Sequence, residues 1–406
     1  MYNTIIIGAG VAGLIAAGQI AQNGKSVIVL EKMERTARKL RITGKGRCNI
    51  TNSSPVENHI EKLRSENPEF ILNALQNCDS DKTIELFNQM GIQTIMERGT
   101  RIYPKSQSAV DVAQRLTGWA EKQGAKILCN TQVEGIIKTE NTFTVTTNDG
   151  QFEAENVIIA TGGVSYPKTG STGDGYKFAH KLGHDIISIR PALVALKIPD
   201  IIPPIELKNT GIALYINGVE KESRFGDVDF TDRGLAGATT LQLSRIAVDA
   251  ICNNEKVTAV IDLKPALSQI KLSNRIKREL ENLQNATFKV LLQKLTPSAL
   301  HNKIATTVDI PLNTQLKWLQ TPDVEYIAKT LKALKFIITD YGSFNEAIIT
   351  AGGINTSEID SLTMESKLIS GLYFCGEVMD IDSDTGGYNI QLAVATASLA
   401  AKNIVK

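Results

Sequence analysis

The sequence predicts an α/β protein in which an open, mainly parallel sheet domain, built from both ends of the chain, is interrupted by a long insertion. Three observations predict it. Residues 3–7 are a short apolar run that leads directly into Gly8-Ala9-Gly10-Val11-Ala12-Gly13 and an Ala-rich helical stretch, 14–22. Two distant segments, 157–163 (VIIATGG) and 371–377 (GLYFCGE), are also apolar runs that end in glycine. From Pro191 the pattern changes to short strand-like runs and then to helical periodicity, before the first pattern resumes after Phe336.

Composition sets outer limits. At 406 residues the chain exceeds what one hydrophobic core usually carries, which favours two or three domains. A hydrophobic fraction of 42% and a charged fraction of 21% exclude a disordered chain, a collagen-like repeat and a coiled coil. Lys and Arg number 44 against 43 Asp and Glu, so bulk charge points to no polyanionic or membrane partner. Five scattered cysteines without a C-x-x-C pair form neither a disulfide framework nor a zinc site, and suit a reducing cytoplasm. The uncharged stretch 4–21 lacks a basic leader, and its glycines have another explanation, so no membrane segment is expected.

That explanation is a nucleotide. Gly8 makes the tight turn, Gly10 lets backbone approach a pyrophosphate, and Gly13 lets helix and strand pack closely. The helix that follows offers unpaired N–H groups and a positive dipole end to the phosphates. Gly24 fits its C-terminal cap, and residues 26–30 read as a second strand that ends in Glu31, an acceptor for ribose hydroxyls. Strand, turn, helix, strand and acid in order form a Rossmann-like unit, which a lone glycine motif would not establish. An acid at that strand end argues against a 2′-phosphate and leaves FAD or NAD.

The distant segments favour FAD. Residues 126–137 and 142–147 read as strands, with Asn148-Asp149-Gly150 as a turn, before the run that ends in Ala160-Thr161-Gly162. The run 371–377 ends in Gly376-Glu377, and Thr385-Gly386-Gly387-Tyr388-Asn389 then opens an Ala-rich helix to about residue 402. A strand reaching a Gly-acid pair and then a helix suits the ribityl and flavin end of FAD. The helix N-terminus near Asn389 would stabilise negative charge on reduced flavin.

The segment Arg38-Lys39-Leu40-Arg41-Ile42-Thr43-Gly44-Lys45-Gly46-Arg47-Cys48-Asn49-Ile50-Thr51-Asn52 carries a resemblance, together with ATGGVSYPKTGSTGDGY (160–176), TAGGI (350–354) and GLYFCGEVMDIDSDTGGYNIQLA (371–393). In this order, the blocks resemble the BaiN/RdsA-like (YhiN-type) NAD(P)/FAD-dependent oxidoreductases. The resemblance implies a Rossmann-like FAD-binding domain formed by 1–190 and 338–406. It implies an insertion at 191–337, a small β-barrel (191–263, mainly β) followed by a helical subdomain (264–337). For the cofactor, it adds Ala12, Lys32, Lys39, Thr43, Gly44, Gly46, Arg47, Cys48, Asn49 and Val133 to the glycine turn and Glu31. It also adds Ala160, Thr161, Gly162, Gly376, Glu377, Gly387, Tyr388, Asn389 and Ile390. Two departures stand out. The family's F-T-x-x-G-L-S-G-P element reads Phe230-Thr231-Asp232-Arg233-Gly234-Leu235-Ala236-Gly237-Ala238, and Lys45 occupies a position often held by Gly.

Candidates for chemistry follow from these blocks. The resemblance places Arg47, Cys48 and Asn49 beside the isoalloxazine. The Cys48 thiol could protonate a carbon next to a carbonyl, or simply fill a loop. Tyr166 and Lys168 lie beyond a strand end, where open α/β sheets bind ligands, and either present donors or belong to a structural loop. His180 and His184 are four apart, but no Cys or acid cluster completes a metal site, and Asp380, Asp382 and Asp384 lack the rest of a calcium loop. No metal is expected. Residues 32–47 hold Lys32, Arg35, Arg38, Lys39, Arg41, Lys45 and Arg47 against one acid, Glu34. That excess over two FAD phosphates suggests either a second polyanion or a solvated face.

The function expected is delivery of hydride from reduced FAD to a polarised C=C bond. The resemblance implies ribosomal RNA uridine, reduced to dihydrouridine, as the favoured substrate, with RNA or its precursor docking on the strip 32–47. The alternatives are a small-molecule ene-reductase resembling fumarate-reductase flavoproteins, and a non-catalytic, FAD-stabilised RNA-binding module. Because no His lies between Glu31 and Asn58, where relatives tether the flavin, noncovalent FAD is expected. Without a second glycine motif, NAD(P)H would act as a transient reductant. The expected location is cytoplasmic, with no stable protein partner.

Overall fold

A computed structural model describes residues 1–283 and 285–406. Contacts divide the chain into two compact units, Met1–Pro191 with Ala347–Lys406, and Ala192–Glu346.

The first unit is organised by five parallel strands in the order Lys126–Leu128, Val27–Leu30, Tyr2–Ile7, Gly150–Ile159, Leu372–Phe374. Tyr2–Ile7 has partners on both sides and buries Thr4 to Ile7, which is why its sequence is continuously apolar rather than alternating. Gly150–Ile159 changes partners along its length. Its first half pairs antiparallel with Phe143–Thr147, and Val157 to Ile159 pair parallel with Leu372–Phe374. Helices Val11–Gln22 and Tyr388–Ile404 pack on each other against the sheet. Gly18 has a packing reason as well, because a Cβ there would lie 2.1 Å from the Trp119 ring. Residues 53–125, in which the sequence showed no elements, contain helices such as Ser80–Gln89 and Ala109–Lys122. They also supply two strands, Thr94–Glu97 and Arg101–Pro104, that join Thr51–Asn52 in a small antiparallel sheet.

The second unit has its own hydrophobic core. Its centre is the hairpin Ile205–Ile216/Val219–Thr231, which the sequence had divided into shorter strands. Asn217 (φ 51°) and Gly218 (φ 84°) form its two-residue turn, the left-handed pair that matches strand twist. Helices Gln269–Asn282, Phe288–Leu295, His301–Val308 and Thr321–Lys332 supply the other wall of that core.

Three features depart from the expected boundaries. The second unit extends to Glu346 rather than 337, because Asp340–Tyr341 pairs with Leu196–Lys197. Its mainly β part contains the 15-residue helix Ala238–Cys252. Its helical part ends in the strand Leu334–Ile338, paired with Val257–Asp262.

Candidate functional site

All five parallel strands point their carboxyl ends the same way, and that is where the glycine turns meet. Gly8 (φ 102°) is held against the turn that follows the strand Gly150–Ile159, since a Cβ on it would lie 2.7 Å from the Ala160 carbonyl oxygen. Gly13 is pressed onto Gly8 even more closely, its Cβ position falling 2.0 Å from the Gly8 oxygen. Gly10 differs from both. It caps the helix Val11–Gln22 at φ −79°, and nothing lies within 4 Å of where its Cβ would be. Two glycines therefore close the packing, and the middle one leaves open space in front of helix N–H groups.

Glu31 is tied to the same turn. Its carboxylate accepts hydrogen bonds from the Ala9 N–H (2.8 Å) and the Met33 N–H (2.9 Å). Burial pushes its pKa up, and the two backbone donors work against that shift. Each oxygen retains a lone pair, so the group can still accept a ribose hydroxyl. Thr131 donates its N–H to the Glu31 carbonyl, which brings the chain leading to buried Val133 alongside.

Gly376 and Glu377 arrive from the neighbouring strand. The Cys375 N–H donates to Ile159, and Gly376 lies against Ala12, 3.1 Å from its would-be Cβ to the Ala12 methyl. Glu377 is the centre of a polar cluster. It accepts from Lys39 Nζ (2.7 Å), Ser165 Oγ (2.9 Å) and the Thr350 N–H (2.9 Å). Ser165 and Thr350 were not singled out as site residues from the sequence. Thr350 opens the TAGGI block, which spacing alone gave no role. The same cluster brings in the other candidate loop, since Tyr166 adopts a left-handed conformation (φ 51°) beside Ser165, and the Lys168 carbonyl accepts from Arg38 (2.9 Å). Lys168 itself is exposed. Thr161 packs on helix Asp174–Lys181 at Gly175, and Gly162 turns the chain at φ 69°.

The loop from Thr43 to Cys48 is conformationally costly. Gly44, Lys45, Gly46 and Cys48 all have positive φ, two of them without being glycine. Lys45 at φ 56° explains why the family often has Gly there. The loop is closed by hydrogen bonds from Thr43 Oγ1 to the Leu40 carbonyl and from the Cys48 N–H to the Thr43 carbonyl. Asn49 follows, with a buried Oδ1 that has no hydrogen-bond partner among the described residues.

Three expected roles change here. Cys48 is fully buried in the core and burial raises its pKa to about 12, so its thiol packs the loop and is closed to substrate. Arg47 is engaged elsewhere, paired with Glu97, bonded to Gln107 and stacked 4.1 Å over the Tyr103 ring, so its Nε–Nη2 edge is already occupied. The basic strip is largely compensated. Lys32 pairs with Asp174, Arg35 and Arg38 with Glu34, Lys39 with Glu377, and Arg47 with Glu97. The charge excess exists along the sequence, while the fold brings in carboxylates from distant segments.

At the C-terminal helix, Gly387 (φ 99°) closes onto Thr51, and Tyr388, Asn389 and Ile390 form a first turn without an acid. Asn389 fixes the preceding loop, accepting from the Ser383 N–H (3.0 Å) and donating to its carbonyl (2.9 Å). Tyr388 packs edge-on against His59. His184 lies beyond the end of the helix Asp174–Lys181 that carries His180, and is held by Glu358 and Ser366.

A family model described as "HI0933-like protein Rossmann domain" matches residues 2–403. The chain belongs to this family. Two relatives named for their reactions align over nearly the full length of the chain. The 3-dehydro-bile acid delta(4,6)-reductase of Clostridium scindens is 29% identical across 98% of this chain and 97% of its own. A ribosomal RNA dihydrouridine synthase of Haemophilus influenzae is 30% identical across 98% of each. The fold also resembles that of 3-ketosteroid delta1-dehydrogenase from Sterolibacterium denitrificans (TM-score 0.54, 14% identity), covering 100% of this chain and 99% of that one. The HI0933-like chain is thus an FAD-dependent oxidoreductase with a Rossmann-like α/β fold. Among the described residues, no helix is long and apolar enough to cross a membrane.

Proposed function

We propose that the protein reduces a C=C bond conjugated to a carbonyl, with uridine in ribosomal RNA as the substrate class. The open face of Gly10, bracketed by the Gly8–Gly13 contact and by Glu31, is the observation that carries the cofactor part. A pyrophosphate fits where a Cβ would intrude. Glu31 would hold the adenosine ribose, and the segment leading to Val133 would border the adenine. Ala160–Gly162 and Gly376 would flank the ribityl chain, and Asn49 Oδ1 would accept from a donor on the ring system. Lys39, locked to Glu377, would position that turn. The bound flavin supplies hydride, drawn from NAD(P)H as a transient reductant, and no side chain replaces it. With Cys48 closed off, Tyr166 and Lys168 are the remaining candidate proton donors. The insertion reads as a small barrel, because its strand pairings run in series from Leu334–Ile338 round to Asp340–Tyr341, adjacent in the chain.

Both named relatives support carbonyl-conjugated C=C reduction, since a dihydrouridine and a saturated steroid ring are products of that reaction type. RNA is favoured by charge. Between residues 264 and 335 there are twelve Lys and Arg against five Asp and Glu, in a chain of net charge +1. The deciding experiment compares dihydrouridine in ribosomal RNA from cells with and without this gene, then after complementation. Unchanged dihydrouridine would refute the RNA assignment, and the bile-acid-like ene-reductase reading would take its place.

A further inference from the structure

The insertion contains a cleft of about 600 Å³, the size of small-molecule sites, that the flavin chemistry does not use. Its walls come from the hairpin and from the chain between the strand Val257–Asp262 and the helix Gln269–Asn282. Leu263, Pro265 and Leu267 line it, with the Phe225 ring, 67% exposed, at its mouth. Asn209 stands opposite, held left-handed (φ 52°) at an irregularity in the hairpin register, its N–H bonded to Asp227. Two cations enter from the other side. Lys264 and Arg275 both line the cleft, and among the described residues neither side-chain cation has a carboxylate oxygen within 4 Å, although Asp262 accepts from the Lys264 backbone N–H. Arg275 reaches only the Lys294 carbonyl, at 3.3 Å. Burial and the Arg275 charge lower the Lys264 pKa, so each cation raises the cost of the other.

We propose that this cleft binds a phosphorylated nucleoside, supplied by an unpaired nucleotide of the RNA substrate. An exposed aromatic face stacks any base, an amide meets a base edge or ribose, and two uncompensated cations call for a phosphate. Lys271 and Arg278, at i−4 and i+3 from Arg275 on the same helix, extend the positive surface along which a strand can continue, with Glu279 as the one acid at i+4. The RNA source rests on the proposed function, whereas the cleft's chemistry does not.

The test uses the full flavin-loaded protein and three probes, oligouridylate, UMP and NADPH. For oligouridylate, Lys264→Gln/Arg275→Gln should weaken binding at least tenfold and flatten the slope of log K against log salt by one to two units. Phe225→Ala should weaken it about five- to hundredfold with little salt effect, as lost stacking does. Flavin content and Tm serve as folding controls, and Phe225 is too exposed to be needed by the core. Wild-type affinity in both variants overturns the proposal even if ribosomal dihydrouridine still depends on the gene. If oligouridylate fails to bind but UMP or NADPH binds and is lost in the variants, the cleft stands with a free nucleotide as its ligand, and the RNA source falls. If none of the probes binds, the cleft is not a nucleotide site.

Discussion

Gly10 and Gly13 make opposite demands, and the pair gives the sharpest test of the nucleotide site. Consider alanine at each. At Gly10 the new methyl meets nothing within 4 Å, and φ −79° is open to any residue. Replacing Gly reduces unfolded-chain entropy, which stabilises by about 0.4–1 kcal/mol, while Ala is a poorer helix N-cap than Gly by a similar amount. The flavin-free protein should therefore keep its Tm. Its cofactor should not stay. A methyl in the pyrophosphate's place displaces hydrogen bonds from backbone N–H to a charged group, each about 1.5–3 kcal/mol. Losing one or two of them gives a fall in FAD affinity of roughly tenfold to twenty-thousandfold.

Gly13→Ala should behave in reverse. Its methyl would sit 2.0 Å from the Gly8 oxygen and 3.3 Å from an Ile6 methyl, with backbone as the main obstacle. Helix and strand must separate, which should cost about 3 kcal/mol or more, at or above the usual penalty for overpacking. Denaturant unfolding of the stripped proteins measures the first effect, and quenching of flavin fluorescence on titration measures the second. A Gly10→Ala protein that binds FAD as the wild type does would refute the argument. So would a Gly10→Ala protein destabilised as much as Gly13→Ala, since the open space would then not exist.

Two further substitutions test the surroundings. Because burial raises the folded-state pKa of Glu31 above its ordinary value of 4.5, the folded protein holds that proton more tightly than the unfolded chain. Its contribution to the flavin-free protein is therefore most favourable below that value and declines as pH rises toward the folded pKa. Glu31→Gln should flatten this decline in urea-unfolding free energy and weaken FAD binding by about 1–3 kcal/mol. An unchanged pH slope would count against the buried carboxylate. Arg47→Ala should leave FAD stoichiometry at the wild-type level and lower Tm slightly, because its partners are Glu97, Gln107 and Tyr103. Loss of flavin in that variant would return Arg47 to the cofactor.

Much of the candidate site's glycine-turn geometry was legible because its signals are local. A buried parallel strand must be continuously apolar, a tight turn must be glycine, and an acid at the next strand end lies where a ribose falls. Those constraints act over thirty residues and survive in one dimension. The left-handed Asn217-Gly218 turn was equally local, and it would have joined two strands into the hairpin that organises the insertion. Short-range signals reached no further. The helix Ala238–Cys252 sits within the part expected to be mainly β, and the unit boundary moved to Glu346 because Asp340–Tyr341 pairs with a strand more than a hundred residues earlier.

Charge shows the same limit most clearly. Counting along residues 32–47 gives seven cations and one acid, and that count suggested a surface waiting for a polyanion. The fold answers three of those cations with Asp174, Glu377 and Glu97, carboxylates from 50 to more than 300 residues away, while Glu34 serves two more. A paired cation offers a phosphate little, because binding it must first release the carboxylate. Lys264 and Arg275 are only two of the cations in the stretch 264–335, yet the fold gives their side chains no carboxylate partner and an apolar wall. Uncompensated charge in a cleft attracts an anion more effectively than a larger number of neutralised ones. For the proposed RNA substrate, the search for contacts therefore belongs on the insertion rather than on the basic strip.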